Sequence, residues 1–145
     1  DESPKIRSAP AKDPFEKNLR KTLNYGHTLG HAIESYSLDQ NKFPTLLHGE
    51  AIAIGMILTS YISFKQLDFP EQTLSDISHH IIKKFNKALF NIEDINAVIE
   101  LLKFDKKNYN GKVLFVLLND IGNHKLNCEV SNSLIFEAFE YYKKL

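Results

Sequence analysis

Leu23-Asn24-Tyr25-Gly26-His27-Thr28-Leu29-Gly30-His31-Ala32-Ile33-Glu34, followed by Leu47-His48-Gly49-Glu50-Ala51-Ile52-Ala53-Ile54-Gly55-Met56, decides how the chain folds. Three of its six histidines fall in these two segments, each beside a glycine, so nothing bulky on that side screens the imidazole. On a helix, His27 and His31 are four residues apart and share one face, with Cβ atoms roughly 6 Å apart. Neutral imidazole is a common ligand for a borderline-soft metal, and a third histidine opening a later helix could close part of a tetrahedron. Spacing alone fits equally a pair of helix-surface histidines plus an unrelated one, because histidines four apart also arise by chance. The second segment runs into a very apolar helix, Ala51 to about Phe64, whose small residues Ala51, Ala53 and Gly55 permit close packing. A helix apolar on all sides belongs in the middle of a bundle.

Working outward, Asp13-Pro14-Phe15-Glu16 offers an acidic N-cap, proline at the first helical position and a glutamate three after the cap. That pattern predicts a helix running through Leu19 and Leu23, interrupted at Asn24 and Gly26. A second helix covers His27 to about Tyr36, with Ala32 and Ile33 inward, and residues 37 to 47, with Asp39, Gln40, Asn41 and Pro44, read as a loop. Beyond the apolar helix, Pro70-Glu71 starts a helix to about Phe85 and Ile92-Glu93-Asp94 another to about Phe104. The adjacent His79 and His80 point roughly 100° apart on a helix and read as surface or partly packed imidazoles. Lys112 to Leu118 is a β-prone run, Asn119 to Asn123 a turn, and His124 to Val130 a returning strand. Ser131-Asn132-Ser133 caps a last helix to Leu145, with Leu134, Ile135, Ala138, Phe139 and Tyr142 as its inner stripe. The expected fold is mainly α, a multihelical bundle with one small antiparallel β-hairpin.

A chain of 145 residues fits one domain with a core of its own. Its 18 basic and 18 acidic residues cancel, which gives no electrostatic argument for nucleic acid or an anionic membrane. Any anion must be held by local charge. Cys128 stands alone, so there is no disulfide framework, as expected in the cytoplasm. No stretch reaches the roughly 18 apolar residues of a membrane span, and the charged, proline-bearing start does not read as a signal peptide. No glycine-rich phosphate turn follows a strand, so a nucleotide-binding half is not expected within these residues.

Arg20, Asn24, the block Gly26 to Glu34 and the block Leu47 to Met56 resemble the signature of 3-dehydroquinate synthase, specifically of its C-terminal helical domain. Asp105-Lys106-Lys107 with Gly111, and Val113 to Leu118 ending near Ile121-Gly122, are similar to that family's third landmark. The likeness runs in order from about residue 13 to 122. It implies conversion of 3-deoxy-D-arabino-heptulosonate 7-phosphate to 3-dehydroquinate and phosphate, in the shikimate route to aromatic amino acids. The implied cofactors are NAD, used catalytically, and a zinc or cobalt ion; the implied partners are a small phosphorylated sugar-acid substrate, an N-terminal nucleotide-binding domain and a second copy in a homodimer. On this resemblance residues 1–12 are a leader or linker from that N-terminal half, and 13–145 are the metal- and substrate-binding domain. The chain starts at Asp1 and reads as a fragment, inert alone.

The resemblance makes His27 and His48 two of three metal ligands, the third being a glutamate upstream of Asp1. It makes His31 a substrate-contacting, proton-handling residue, one turn beyond a ligand and facing the same cavity. Arg20 and Asn24 would bind substrate; four apart on one helix, a planar cation and an amide suit a carboxylate, phosphate or hydroxyl. Without the resemblance, Arg20 reads as a solvated helix charge. One of Lys106 and Lys107 would grip the substrate's anionic groups, although their place at a helix end alone accounts for two cations. Glu34 and Glu50 are carboxylates close to the histidines in sequence; Glu50 follows His48 by two and so lies on a different helix face. Two departures stand out: the loop between the histidine blocks is a few residues long for the family, and Ile6, flanked by Lys5 and Arg7, occupies the place of a family lysine. Another sugar-phosphate cyclase, a glycerol dehydrogenase-type domain or a noncatalytic helical module are the rival readings. Arg20, Asn24 and Asp105-Lys106-Lys107 argue against the dehydrogenase.

Overall fold

The computed structural model describes residues 26–40, 48–103, 114–120 and 123–145. Among them are five helices, α1 (His27–Gln40), α2 (His48–Leu67), α3 (Glu71–Lys84), α4 (Ile92–Lys103) and α5 (Asn132–Lys143), and an antiparallel pair, β1 (Leu114–Asp120) with β2 (Asn123–Glu129). The expected mainly α bundle with a small hairpin is what forms. The helix expected over residues 13 to 23 lies outside the described residues.

The bundle is built around α2. Every residue from Ala51 to Ser60 is buried, as are Ile62 and Ser63, so the helix has no solvent face over most of its length. It packs against α1, α3, α5 and β1, while α4 covers the far side of α1. Its two ends leave the core, His48 and Gly49 being exposed in the first turn and Lys65 and Gln66 in the last. No helix among the described residues is long and apolar enough to cross a membrane.

α1 continues one turn beyond the expected end at Tyr36, to Gln40. Nothing between Ser37 and Gln40 forbids helical dihedrals, and Pro44 restricts only the residue just before it. The extra turn is anchored from α4. The buried Tyr36 hydroxyl donates to the equally buried Asp94 carboxylate, whose other oxygen accepts the Asn91 backbone N–H at 2.8 Å. Asn91 Oδ1 in turn accepts the Asp94 backbone N–H at 2.8 Å, so Asn91 and Asp94 form a reciprocal cap at the start of α4. A buried carboxylate is tolerated when its lone pairs are taken up in this way. Burial, the Asp94 hydrogen bond and the nearby acidic charge push the Tyr36 phenol up to about 12.

The hairpin is tighter than expected: the ladder extends to the pair Asp120 and Asn123, leaving two residues between the strands, and it is irregular between Phe115 and Leu117 and between Leu118 and Asp120. Ser63 pins it to the central helix. Its buried Oγ donates to the Thr59 carbonyl at 2.8 Å and accepts the Leu118 backbone N–H at 2.9 Å. On α5 the Ser131 side chain caps the first turn by accepting the Leu134 N–H at 3.2 Å. Ile135, Ala138, Phe139 and Tyr142 form the buried stripe, with Leu134 only half-buried at its edge.

Candidate metal centre

The two histidine segments meet because α1 and α2 touch backbone to backbone. A Cβ placed on Gly55 would stand 2.8 Å from Gly30 N and 3.1 Å from Gly30 Cα; one placed on Gly30 would stand 3.0 Å from Ile52 Cα. Only hydrogen fits at either position. His27 and His31 each follow a glycine of the contact line by one residue, roughly 100° around α1, so they flank the crossing.

His48 at the exposed start of α2 comes up beside them. The His27 and His31 ring centroids are 5.2 Å apart, His31 and His48 5.7 Å, and His27 and His48 6.0 Å. The three imidazoles thus form a nearly equilateral cluster. His27 Nδ1 and His31 Nε2 are 3.3 Å apart, so one of the two carries the hydrogen between them. His48 Nδ1 lies 3.0 Å from Glu34 Oε1, and His31 Nδ1 lies 4.0 Å from the same oxygen. His31 and His48 are 61% and 55% exposed against 24% for Glu34, so the imidazoles are open to a ligand while the carboxylate sits beneath them. Donor atoms of His31, Glu34 and His48 lie within 4.8 Å of one another. Imidazole nitrogens with a carboxylate are the donor set of zinc and cobalt, and three such rings on two helices in direct backbone contact fit such an ion.

The structure therefore brings together His27, His31 and His48 and adds Glu34 to them; Glu50, on another face of α2, is not part of the cluster. Arg20, Asn24, Lys106 and Lys107 lie outside the described residues. His79 is exposed, with its Nδ1 3.2 Å from Ser75 Oγ, and His80 is partly buried, in keeping with a surface role for both. The sequence alone does not predict the contact from Glu34 to His48. Its only trace in sequence is the position of Glu34 three residues after His31, which puts the carboxylate on the histidine face of α1.

The profile described as 3-dehydroquinate synthase C-terminal matches residues 6–108, a span that contains all three histidines together with Arg20, Asn24, Lys106 and Lys107. The chain belongs to this family. Among curated 3-dehydroquinate synthases, that of Parabacteroides distasonis is 37% identical over 132 residues, covering 91% of this chain and 37% of its own. That of Picrophilus torridus is 42% identical over 113 residues, covering 77% and 31%. The chain spans about a third of the length of these curated relatives. Among solved structures, 2-deoxy-scyllo-inosose synthase complexed with carbaglucose-6-phosphate, NAD+ and Co2+ superposes with a TM-score of 0.62 at 27% identity, over 81% of this chain and 34% of that one. A 2-epi-5-epi-valiolone synthase from Streptomyces hygroscopicus with NAD+ and Zn2+ bound gives a TM-score of 0.63 at 20% identity, over 83% and 32%, and shares the fold. This member of the 3-dehydroquinate synthase C-terminal family thus shares its fold with both of these synthases.

Proposed function

We propose that this chain is the metal- and substrate-binding domain, over residues 13–145, of a 3-dehydroquinate synthase that converts 3-deoxy-D-arabino-heptulosonate 7-phosphate to 3-dehydroquinate and phosphate with catalytic NAD. The observation that carries the reading is the cluster of His27, His31 and His48, drawn from two helices of a family-matched segment and open to solvent on one side. In this reading His27 and His48 hold a divalent zinc or cobalt ion, with a glutamate outside this chain as third ligand. When bound, such an ion acts as a Lewis acid that polarises the alcohol to be oxidised.

The remaining work falls to the chain's own side chains. In this reading His31 takes and returns a proton at its ring nitrogen while the substrate stays bound, a role supported by its being a helical turn from His27 and largely exposed. Arg20 and Asn24, with Lys106 or Lys107, supply the cationic and amide donors that hold both anionic ends of a flexible substrate, so that one site serves several steps. NAD and the third ligand belong to an N-terminal domain for which residues 1–12 are the connection, and the complete protein acts as a cytoplasmic homodimer. Coverage of only about a third of each relative supports a partner domain of this kind.

The test is metal content and phosphate release in the full-length protein, wild type against His27→Ala and His48→Ala. Each variant should lose bound metal and substrate turnover together, and the 145-residue chain alone should retain little metal and release no phosphate. Retention of stoichiometric metal by both variants refutes the site. A second reading, a cyclase acting on another sugar phosphate, is favoured by the likeness to 2-deoxy-scyllo-inosose synthase. Turnover of a hexose 6-phosphate, with none of the heptulosonate phosphate, would select it.

A further inference from the structure

Glu34 has a contact that the metal-centre reading leaves unused. Its Oε1 lies 3.0 Å from His48 Nδ1, a hydrogen-bond distance, and 4.0 Å from His31 Nδ1, beyond one. We propose that Glu34 is a positioning residue: it holds the hydrogen of His48 on Nδ1, leaving Nε2 as the nitrogen that faces a metal with a lone pair, and it is not itself a ligand. The inference rests on the assignment of His48 as a ligand in the proposed function.

An ionised carboxylate can only accept, so the hydrogen in the contact sits on His48 Nδ1. A neutral imidazole has one N–H, and placing it on Nδ1 fixes the tautomer and the ring plane together. The His27 and His31 pair obeys the same logic. A lone pair on His27 Nε2 requires the hydrogen of His27 on Nδ1, donated to His31 Nε2 at 3.3 Å. The hydrogen of His31 is then on Nδ1, on the side of the same Glu34 oxygen. One half-buried carboxylate thus agrees with a single set of tautomers in which both His27 and His48 present Nε2. The donor group His31, Glu34 and His48 is compact enough to suggest a metal triad, but an ion held there through Glu34 Oε1 and His48 Nδ1 would displace the hydrogen that these two atoms share at 3.0 Å, and the cobalt spectrum of a Glu34 variant tells the two arrangements apart.

The experiment uses the full-length protein stripped of metal, with Glu34→Ala, Glu34→Gln and His48→Ala. Zinc affinity is read by competition with a chelator, the cobalt-loaded form by its visible spectrum, and the His48 tautomer by nitrogen NMR of labelled imidazole. Glu34→Ala should weaken zinc about 10- to 100-fold, the usual loss on removing an outer partner of a ligating histidine. Its cobalt spectrum should keep the wild-type band intensity, and its His48 should show mixed tautomers. Glu34→Gln, whose amide oxygen still accepts from Nδ1–H, should restore most of the affinity and the single tautomer. Wild-type affinity and tautomer in Glu34→Ala would overturn the proposal; so would a Gln variant as damaged as Ala with an altered cobalt spectrum, the mark of a lost ligand. If His48→Ala itself binds zinc normally, the underlying metal site fails as well, whereas loss in His48→Ala with a neutral Glu34→Ala refutes only the role given to Glu34.

Discussion

The crossing of α1 and α2 at Gly55 can be tested with one methyl group. In Gly55→Ala the added Cβ runs into the Gly26 carbonyl oxygen, its nearest neighbour, and meets Gly30 N at 2.8 Å and Gly30 Cα at 3.1 Å. All three are backbone atoms, so no side chain can swing aside. Reaching an ordinary separation requires the backbone on the α1 side to retreat by roughly 1 Å. Overpacking of this kind costs about 1–3 kcal/mol, and a clash with backbone belongs in the upper half of that range. Replacing a helical glycine by alanine returns about 1 kcal/mol through propensity. The net expectation is a loss of about 1–2 kcal/mol, or several degrees in Tm for a domain of this size. The same retreat carries Glu34 away from His48 and lengthens their 3.0 Å contact past the limit of a hydrogen bond. Gly49→Ala is the internal control, since a Cβ there meets nothing within 4 Å on the same helix. Urea denaturation and zinc competition on both variants in the full-length protein give the answer. A Gly55→Ala protein that gains the full propensity increment and binds zinc like wild type would show that the helices do not touch at this point.

Ser63→Ala should destabilise by about 1–3 kcal/mol in the same denaturation assay, because it leaves the buried Leu118 N–H without its acceptor; a neutral result would mean that the hairpin is held to α2 by packing alone. Tyr36 keeps its proton in the fold to about 12 against an ordinary 10, so the stability it contributes is complete below pH 10 and is lost as pH rises toward about 12. Burial also raises Tyr61 and Tyr142, so the difference between wild type and Tyr36→Phe is the informative quantity, and that difference should shrink through this alkaline window.

The central position of α2 was legible because its apolar residues continue around the whole helix, a pattern that leaves no face for water. The last two helices were legible from their starts, Ser131 capping one and Ile92-Glu93-Asp94 opening the other. The end of α1 was not: Asp39, Gln40, Asn41 and Pro44 looked like loop, while the anchor that extends the helix, Tyr36 on Asp94, joins residues 58 positions apart. The histidines announced themselves by spacing and by their glycine neighbours. The partnership of Glu34 with His48 did not, because it depends on how two helices cross, and helix periodicity describes each helix only by itself.

The glycine contact also sets an angular tolerance for the site. His48 lies seven residues along α2 from Gly55, a lever arm of about 10 Å at 1.5 Å per residue. Metal bonds tolerate displacements of roughly 0.2 Å. Over such an arm that corresponds to about one degree of rotation at the crossing. Larger side chains at the pivot would introduce compliance of that order through their rotamers alone, whereas peptide against peptide has almost none to offer. In the proposed metal site the ligand geometry is therefore stiff at the end remote from the ion, and substitutions deep in the bundle, far from any imidazole, should be felt first as a change in metal retention.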